Sequence, residues 1–404
     1  MNILLITDSY PPEIRSASHL MQEMAEELRN RGHKVFVVTS HPQYNLTSEL
    51  ANRSFDEFST ENGINVIRVK TLPHHKVNLM IRGISQLTMP YIFFLKINKY
   101  IKERINVIIV YSPPLPLALV GNMVKSKYNA KLILNIQDIF PQNAIDLDML
   151  KNPFLIKLFE RMEKNAYKNT DKIAVHSEGN KKFLIQNKQV SPDKIFTIQN
   201  WIDIYPYVNG NNTNSFRKKF NLEKKFVFLF AGVIGPSQGL DLIIQAAHEL
   251  REIPNICFLL VGDGIERDRL LKITEKNALK NVIFKSFTSK EEYPSLVKEA
   301  NVGLVCLSSK NRTPVVPGKI LGYMAASIPV VAFLNKESDG HKIVKDSKCG
   351  YSECSDDSRR AVELLFQVYN ERDNLEQYGK NGFKYVSENF TKEICIDKLE
   401  NLFL

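Results

Sequence analysis

Short apolar runs alternate with amphipathic segments along the whole chain. In the first half, the predicted strands are residues 2–6, 34–38, 65–69, 107–110, 131–134 and 172–175, and helical periodicity covers 18–31 and 152–169. Runs such as VFLFAG and CFLLVG are continuously apolar, which is typical of parallel strands with helices on both faces. This rhythm predicts an α/β fold built on parallel sheets.

The same rhythm continues in the second half, so two domains are expected for a chain of 404 residues. The predicted strands there are 226–231, 256–261, 282–284, 302–305 and 329–332, with helices near 240–252, 265–277, 290–300 and 318–326. The polar segment YVNGNNTN (207–214) predicts a surface loop after the junction. We expect domains at 1–202 and 203–384, with an amphipathic helix over 385–404 packing back onto the first domain.

Composition indicates a soluble globular protein, with 44% hydrophobic and 24% charged residues. The net charge is +10, and most of the basic excess lies in residues 1–200. It favours an anionic partner, either nucleic acid or a lipid surface, although a solvated basic face is the alternative. The five cysteines form no CxxC pair, which predicts reduced, structural thiols in a cytoplasmic protein. The opening MNILLIT lacks a basic n-region, so it is predicted to be a strand and not a signal peptide.

The segment 77–104 is apolar and aromatic, and it ends in several basic residues. Its longest uncharged run, 83–95, has 13 residues, fewer than the roughly 18–20 that a membrane span needs. An interfacial membrane helix and a core-facing helix with a basic outer face both fit this pattern. The sequence leaves these two alternatives open.

Two glycine-containing loops in the second half suggest a phosphate site. The stretch FVFLFAGVIGPSQGLDLIIQAA (226–247) ends a strand at Gly232 and opens a helix near Gly239, and TPVVPGKILGYMAASIPVVAF (313–333) repeats the helix start. Backbone N–H groups at such turns bind anions. Two of them predict a nucleotide diphosphate, with Lys319 as its cation and Arg312 and Arg15 as further candidates.

No metal cluster is evident from the sequence. His74 and His75 have no carboxylates at ligand spacing, and the one DxD string, Asp146-Leu147-Asp148, is expected to lie far from the phosphate motifs. A dehydrogenase is disfavoured because DSYPPE, and not G-x-G-x-x-G, follows the first strand.

Several strings in this order resemble the retaining GT-B glycosyltransferases of family 4. They are NILLITDSYPP, HLMQEMAEELRNRGHKVFVVTS, NIQDIFPQNA, IQNWID, FAGVIGPSQGLD, LVGDG and VPGKILGYMAASIPVV. The resemblance covers nearly the whole length. It implies two Rossmann-like domains whose parallel sheets face a deep cleft, with the acceptor on the first domain and the donor in the second.

The branch it looks most like transfers sugars in bacterial capsule and O-antigen assembly, including the proposed N-acetylfucosamine (FucNAc) transferases. The resemblance implies a UDP-sugar donor, an undecaprenyl-diphosphate-linked sugar as acceptor, and peripheral attachment to the inner face of the cell membrane. It also implies metal-independent transfer without a cofactor and no nucleic-acid partner.

The chain departs from the family pattern at several positions. Many members carry two glutamates, the second of which holds the ribose, where this sequence has Pro314 and Gly322. In the glycine loop, residues 232–239, Val233 and Gln238 stand where family members usually have Arg and Lys. Ser327 stands where they have a later glycine. Ribose recognition and diphosphate neutralisation are therefore expected to use other groups, unless activity is impaired.

Loop chemistry and resemblance together give the candidate site residues. Asp138, Lys319 and His19 are expected to be catalytic, and Glu13 and Arg15 to bind acceptor. The expected donor-binding residues are Gly235, Gln238, Gly239, Gly262, Asp263, Phe287, Arg312, Pro317, Gly318, Lys319 and Asn200. Structural alternatives stay open: a solvated helix lysine for Lys319, a turn or N-cap for Asp138, and a cap or core role for His19.

Two other functions remain alternatives to a glycosyltransferase. A UDP-sugar 2-epimerase of the same architecture would need acid and base groups gathered together, and the chain shows few of them. A non-catalytic nucleotide-sugar-binding subunit would fit the missing glutamates.

Overall fold

A computed structural model describes residues 1–42, 46, 53–72, 79–209, 215–289 and 291–404, with only the backbone described for 79–84 and 209. The chain divides into two compact units. Unit 1 comprises Met1–Gln142, Leu150–Asn200 and Lys392–Leu404, and unit 2 comprises Asn143–Met149 and Trp201–Thr391. The main division follows Asn200, two residues before the boundary expected from the sequence, and the short excursion of Asn143–Met149 into unit 2 had no sequence signal.

Unit 1 contains a mostly parallel sheet. Its strands are β1 (Asn2–Ile6), β2 (Lys34–Ser40), β3 (Phe58–Glu61), β4 (Ile64–Val69), β5 (Val107–Ser112), β6 (Lys131–Ile136), β7 (Lys172–Val175) and β8 (Ile195–Thr197). They lie in the order β3-β4-β2-β1-β5-β6-β7-β8. Every neighbouring pair is parallel except β3 and β4, which pair antiparallel at one edge.

Most helices of the first half cover the faces of this sheet, whereas residues 143–146 of the short fourth helix belong to unit 2. They are α1 (Ser16–Asn30), α2 (Leu79–Tyr100), α3 (Leu117–Tyr128), α4 (Gln142–Asp146), α5 (Pro153–Asn169) and α6 (Glu178–Lys188). One core cluster joins Ile108 and Val110 of β5 to Phe93 of α2 and Val120 of α3. The continuously apolar run of β5 thus reflects burial on both faces, as predicted.

The structure supports the core-facing alternative for the described part of segment 77–104. Met89, Phe93 and Ile97 of α2 are fully buried, while Lys96 and Lys99 pair with Glu57 at the surface. Residues 77 and 78 lie outside the described chain. Across the helices that the structure describes, none combines the length and apolarity that crossing a membrane requires.

Unit 2 contains a wholly parallel sheet. Its strands are β9 (Phe226–Ala231), β10 (Ile256–Val261), β11 (Val282–Lys285), β12 (Val302–Cys306), β13 (Val330–Leu334) and β14 (Gly350–Cys354), in the order β11-β10-β9-β12-β13-β14. The remaining helices are α7 (Tyr205–Asn209), α8 (Ser215–Lys219), α9 (Asp241–Glu249), α10 (Arg267–Lys276), α11 (Tyr293–Lys298), α12 (Lys319–Ala325), α13 (Gly340–Ser347), α14 (Ser358–Asn370), α15 (Glu376–Asn389) and α16 (Lys392–Glu400).

Strand β9 shows why the strands of the second half are continuously apolar in sequence. Phe228 and Phe230 enter one core cluster, and Val227 and Leu229 enter another on the opposite face. Successive side chains of a strand point to opposite faces, so a run buried on both sides has no polar alternation. The predicted α/β fold with parallel sheets is confirmed.

The helix predicted over 385–404 is wrong in its bounds. Helix α15 ends at Asn389, and α16 begins at Lys392. Phe390, between them, is buried in a core cluster of unit 2, whereas α16 belongs to unit 1. The amphipathic period continues across the break because each helix buries one face, each against a different unit. The predicted loop at 207–214 begins inside α7, and its residues 210–214 lie outside the described chain.

Candidate active site

The loops after β9 and β10 are held together backbone to backbone. Gly232 N donates to Val261 O (2.9 Å), and Ile234 N donates to Asp263 O (2.8 Å). Gly262 has φ +148°, and a Cβ there would stand 1.8 Å from Gly232 O. Only glycine permits this approach, so the LVGDG string fixes the position of the glycine loop.

The glycine loop also packs against the end of β12. Gly239 is left-handed (φ +59°), and a Cβ on it would meet Ser308 Cα at 2.9 Å. Ser308 N donates to Ser237 O (2.9 Å). Helix α9 begins at Asp241, two residues later than the helix start predicted at Gly239. Gly235 and Gly239 line a cavity of about 200 Å³ beneath the loop.

Lys319 lies over the glycine loop, in agreement with the predicted convergence of the two motifs. Its Nζ donates to Gln238 Oε1 (2.9 Å) and stands 4.8 Å from the centre of the Phe230 ring. Its side chain covers Gly232, where a Cβ would come within 2.6 Å of Lys319 Cε. The predicted residues Lys319 and Gln238 are therefore in contact.

Tyr323, one turn after Lys319 on helix α12, fixes the direction in which Lys319 points. Tyr323 Oη donates to Leu229 O (3.1 Å) and accepts from Ala231 N (3.2 Å), which ties α12 to the end of β9. Residues four apart share one face of a helix. Lys319 is thereby directed at the loop that follows β9.

Within the described ranges of the chain, no carboxylate contributes to the electrostatic environment of Lys319. Among the described residues no ion pair involves Lys319, and its neighbour Cys306 is a buried thiol whose pKa is raised to about 12 by that burial. Desolvation lowers the pKa of Lys319 to about 8. An ammonium held without a counter-ion is a ready partner for an anion.

The other predicted donor residues of unit 2 differ in their exposure. Asp263 accepts from Gly264 N (2.9 Å) and is exposed, and Phe287 is 46% exposed in the loop after β11. Pro317 is buried, and Gly318 caps α12 with open space at its Cβ position. Asn200, expected to bind donor, ends the segment 150–200 of unit 1, where its Nδ2 donates to Gln137 Oε1 (2.6 Å).

The Asp146-Leu147-Asp148 string is not far from the phosphate motifs, contrary to expectation. It belongs to unit 2, where Asp146 Oδ2 accepts from Arg312 N (2.9 Å) and Asp148 pairs with Lys310 (3.1 Å). Leu147 lines the cavity beneath the glycine loop. No motif marked this contact, because it joins residues more than 160 positions apart.

The position of the missing second glutamate, Gly322, faces two tyrosines. A Cβ on Gly322 would lie 3.5 Å from both Tyr207 Oη and Tyr293 Oη. Burial raises the pKa of Tyr293 to about 12, so its hydroxyl remains protonated. Sequence reasoning did not identify either tyrosine, because α7, α11 and α12 converge only in the folded unit.

The predicted acceptor residues gather at the end of β1 in unit 1. Arg15 Nη1 pairs with Asp8 Oδ2 (3.2 Å), and Ser9 Oγ donates to Glu13 Oε2 (2.9 Å). His19 follows in the first turns of α1, where its N donates to Arg15 O (3.2 Å). Asp8, within the string TDSYPP, was missed by the sequence analysis.

Asp138 lies after β6 at the same edge of the sheet. Desolvation raises the pKa of Asp138. Burial, then the charges of Asp138 and Asp8, raise the pKa of Tyr111 at the end of β5, while Arg15 lowers it. Because β1, β5 and β6 are adjacent, the ends of these strands bring Asp8, Tyr111 and Asp138 together, as expected at the carboxyl edge of a parallel sheet.

Metal-ligating side chains do not cluster in the described residues: no group of three or more His, Cys, Asp and Glu is placed to hold an ion. The pair His74-His75 lies outside the described chain.

Two protein-family models match the chain: Glycosyltransferase Family 4 over residues 17–205, and Glycosyl transferases group 1 over 211–385. The chain is 26% identical over 332 residues to WcaI of Escherichia coli K12, a candidate colanic acid biosynthesis glycosyl transferase, covering 80% of this chain and 81% of WcaI.

Solved structures share the fold. Sucrose-phosphate synthase from Thermosynechococcus elongatus superposes with a TM-score of 0.79 at 16% identity, over 100% of this chain and 98% of that one. HepE from Anabaena, in complex with UDP-glucose, gives a TM-score of 0.75 at 17% identity, over 100% and 99%. The predicted GT-B fold is confirmed, and both matching family models describe glycosyltransferases.

Proposed function

We propose that the chain is a family 4 glycosyltransferase that transfers a sugar from a UDP-sugar to a lipid-linked acceptor, with retention of configuration. The donor half of this proposal rests on the position of the Lys319 ammonium. Its ammonium lies on the glycine loop beside Gln238 and has no carboxylate partner within the described chain. HepE, which shares the fold, is complexed with UDP-glucose, and this supports uridine as the base.

In the proposed reaction, an acceptor hydroxyl oxygen bonds to the anomeric carbon as the bond from that carbon to the diphosphate breaks, and the hydroxyl proton passes to the departing diphosphate. Lys319 neutralises the charge that develops on the departing UDP, and the backbone of the glycine loop surrounds the phosphates. The cation in this proposal comes from a side chain, and we propose that transfer needs neither a metal nor a cofactor. Attack from the face that the diphosphate leaves would retain the configuration.

We propose that the group at the carboxyl edge of the unit 1 sheet serves the acceptor. Asp138, whose pKa is raised by desolvation, would accept a hydrogen bond from the acceptor hydroxyl or stabilise positive charge at the anomeric carbon. Arg15, held by Asp8, would bind an acceptor phosphate, with Glu13 and His19 beside it. An undecaprenyl diphosphate-linked sugar has both features, a hydroxyl and phosphates.

The proposed sugar is an N-acetylated deoxyamino sugar such as FucNAc, for O-antigen or capsule assembly at the inner face of the cell membrane. The order of the motifs supports this branch, and WcaI, which carries a name from colanic acid biosynthesis, supports a surface polysaccharide. No nucleic-acid partner is proposed.

The test is a donor screen followed by product analysis. Thermal unfolding of the purified chain is measured with UDP-, GDP- and dTDP-sugars, and the stabilising donor is then incubated with a polyprenyl-diphosphate-linked sugar for mass spectrometry. We expect stabilisation by UDP-sugars and a product heavier by one glycosyl residue. The same product should be lost in Lys319→Met and kept in Lys345→Met, which removes an exposed lysine of α13. Donor binding without any product would favour a non-catalytic subunit.

A further inference from the structure

Helix α5 turns an unusual face toward solvent. Its inner face buries Phe159, Glu163, Ala166 and Tyr167 against unit 1. Phe154, at its first turn, is 85% exposed, an extreme value for a phenylalanine. Large apolar side chains left in water on a helix that already has a packed face suggest a further contact.

The apolar part of this face lies at the start of the helix. Phe154 and Leu158 are one turn apart, so they project from the same side, and both are exposed, Leu158 by 40%. Leu155, also exposed, flanks them. Asn152 caps the helix by accepting from Phe154 N and Leu155 N, so the apolar end is held as a regular helix.

A row of cations continues the same face. Lys157, Arg161, Lys164 and Lys168 follow the spacing i, i+4, i+7 and i+11, and all four are exposed. No ion pair to any of the four is found in the described part of the chain.

The carboxylates of the helix do not neutralise this row. Glu163 faces inward, where it pairs with Lys188 (2.9 Å) and accepts from Tyr167 Oη (2.9 Å). The remaining one, Glu160, stands at the edge of the cationic row. The outward face of α5, which we define as Phe154, Leu158, Lys157, Arg161, Lys164 and Lys168, is therefore apolar at one end and positive along the rest.

The topology places the apolar end near the proposed acceptor group. Helices that connect parallel strands run antiparallel to them, so α5, between β6 and β7, begins at the carboxyl edge of the sheet. Asp138 and Asp8 lie at that same edge of unit 1. An acceptor whose tail stays in a lipid layer would meet both features together.

We propose that the outward face of α5 docks unit 1 onto an anionic lipid surface, with Phe154 and Leu158 entering the interface and the cationic row on the headgroups. Apolar insertion and attraction to acidic headgroups are the two terms that bind interfacial helices. The inference rests on the lipid-linked acceptor proposed above and assigns the docking surface to α5. For segment 77–104, an interfacial helix was only one of the two alternatives that the sequence left open.

The test is flotation of the full chain with vesicles of phosphatidylcholine alone or with 30% phosphatidylglycerol. We expect the wild type to float with the anionic vesicles, and the bound fraction to fall at least tenfold in Phe154→Ser/Leu158→Ser and in Lys157→Gln/Arg161→Gln/Lys164→Gln. High salt should release Phe154→Ser/Leu158→Ser most readily, because this variant is held to the vesicle by charge alone.

Control variants lie in unit 2. They are Phe366→Ser, which is 45% exposed on α14, and Arg359→Gln/Lys272→Gln, and both should float like the wild type.

Insertion is read separately by fluorescence. Trp201 is the single tryptophan and is buried, so a Phe154→Trp variant adds one exposed reporter. We expect brominated anionic vesicles to quench it and to leave Phe366→Trp unquenched. Wild-type protein that stays unbound to anionic vesicles, or α5 variants that float like the wild type, would overturn the inference. Calorimetric titration of each variant with UDP separates the outcomes, because failure of donor binding would instead count against the proposed function.

Discussion

Lys319 makes the sharpest residue-scale prediction, because desolvation sets its pKa at about 8 without help from a carboxylate. A bound diphosphate stabilises the charged form, so UDP binding should take up a proton near pH 8. Above that pH the ammonium loses its proton, and UDP affinity should fall about tenfold between pH 7 and 9. Titration calorimetry in buffers of different ionisation enthalpy measures both effects.

The controls separate Lys319 from the rest of the site. Lys319→Met should weaken UDP binding by about 1.5–3 kcal/mol and abolish the pH dependence. Lys319→Arg, which stays charged throughout, should bind UDP with no change over this range. A wild-type affinity that is constant from pH 7 to 9, together with unweakened UDP binding in Lys319→Met, would rule out Lys319 as the phosphate cation.

Alanine substitutions at Gly262 and Gly235 should separate an effect on stability from an effect on UDP binding. Gly262→Ala would force a Cβ to 1.8 Å from Gly232 O at φ +148°, so it should destabilise the chain by more than about 2 kcal/mol. Gly235 has φ −132° and room at its Cβ position, where the nearest atom is 3.7 Å away. Gly235→Ala should therefore unfold with the wild-type midpoint yet bind UDP more weakly. Equal loss of stability in the two variants would contradict this account of the loop.

At the scale of elements, α16 shows how a terminal helix stabilises a distant part of the chain. Arg31, at the end of α1, donates to Glu400 (2.5 Å) and Asp397 (2.5 Å), and His33 contacts Glu400 (2.7 Å). Cys395, Ile396 and Leu399 are buried beneath these pairs. The helix therefore contributes both core and polar contacts to unit 1.

The stability that Glu400 contributes through these pairs should decrease at acid pH. Burial raises its pKa, but hydrogen bonds from His33 and Arg31 outweigh that effect and lower it below the usual value. A lowered carboxyl pKa stabilises the fold above the unfolded-state pKa, and the contribution is lost as pH falls through the folded-state pKa. Glu400→Gln should lower stability by about 1 kcal/mol at pH 7 and by less at pH 3.5. Urea unfolding measures this, with Glu393→Gln, exposed on the same helix, as the unchanged control.

At the scale of the whole molecule, each unit has its own sheet and core clusters, and the proposed donor contacts all lie in unit 2. UDP should therefore slow amide hydrogen exchange in residues 232–240, 262–266 and 313–323. The strand ends of unit 1, residues 7–15 and 137–140, should exchange as before. Exchange mass spectrometry with and without UDP tests this, and protection confined to the unit 1 segments would reassign the donor site.

The alternation of strands and helices was predictable from the amino-acid sequence. The core strands of both sheets are buried on both faces, so their apolar runs were visible without any knowledge of pairing. Glycines at obligatory backbone approaches, such as Gly262, marked the phosphate loop in the same local way. Strands β3, β8 and β14 were missed because they lie at sheet edges, where partial burial leaves a weak pattern.

Which side chains meet became visible only in the folded chain. It put Tyr207 and Tyr293 at Gly322, Asp146 on the backbone of Arg312, and Tyr111 between Asp8 and Asp138. These contacts join residues far apart in the chain, and their geometry depends on sheet order and helix packing. Apolar periodicity records how deeply each residue is buried but carries no information about its partner, so the strand ends were predictable and the neighbours across them were not.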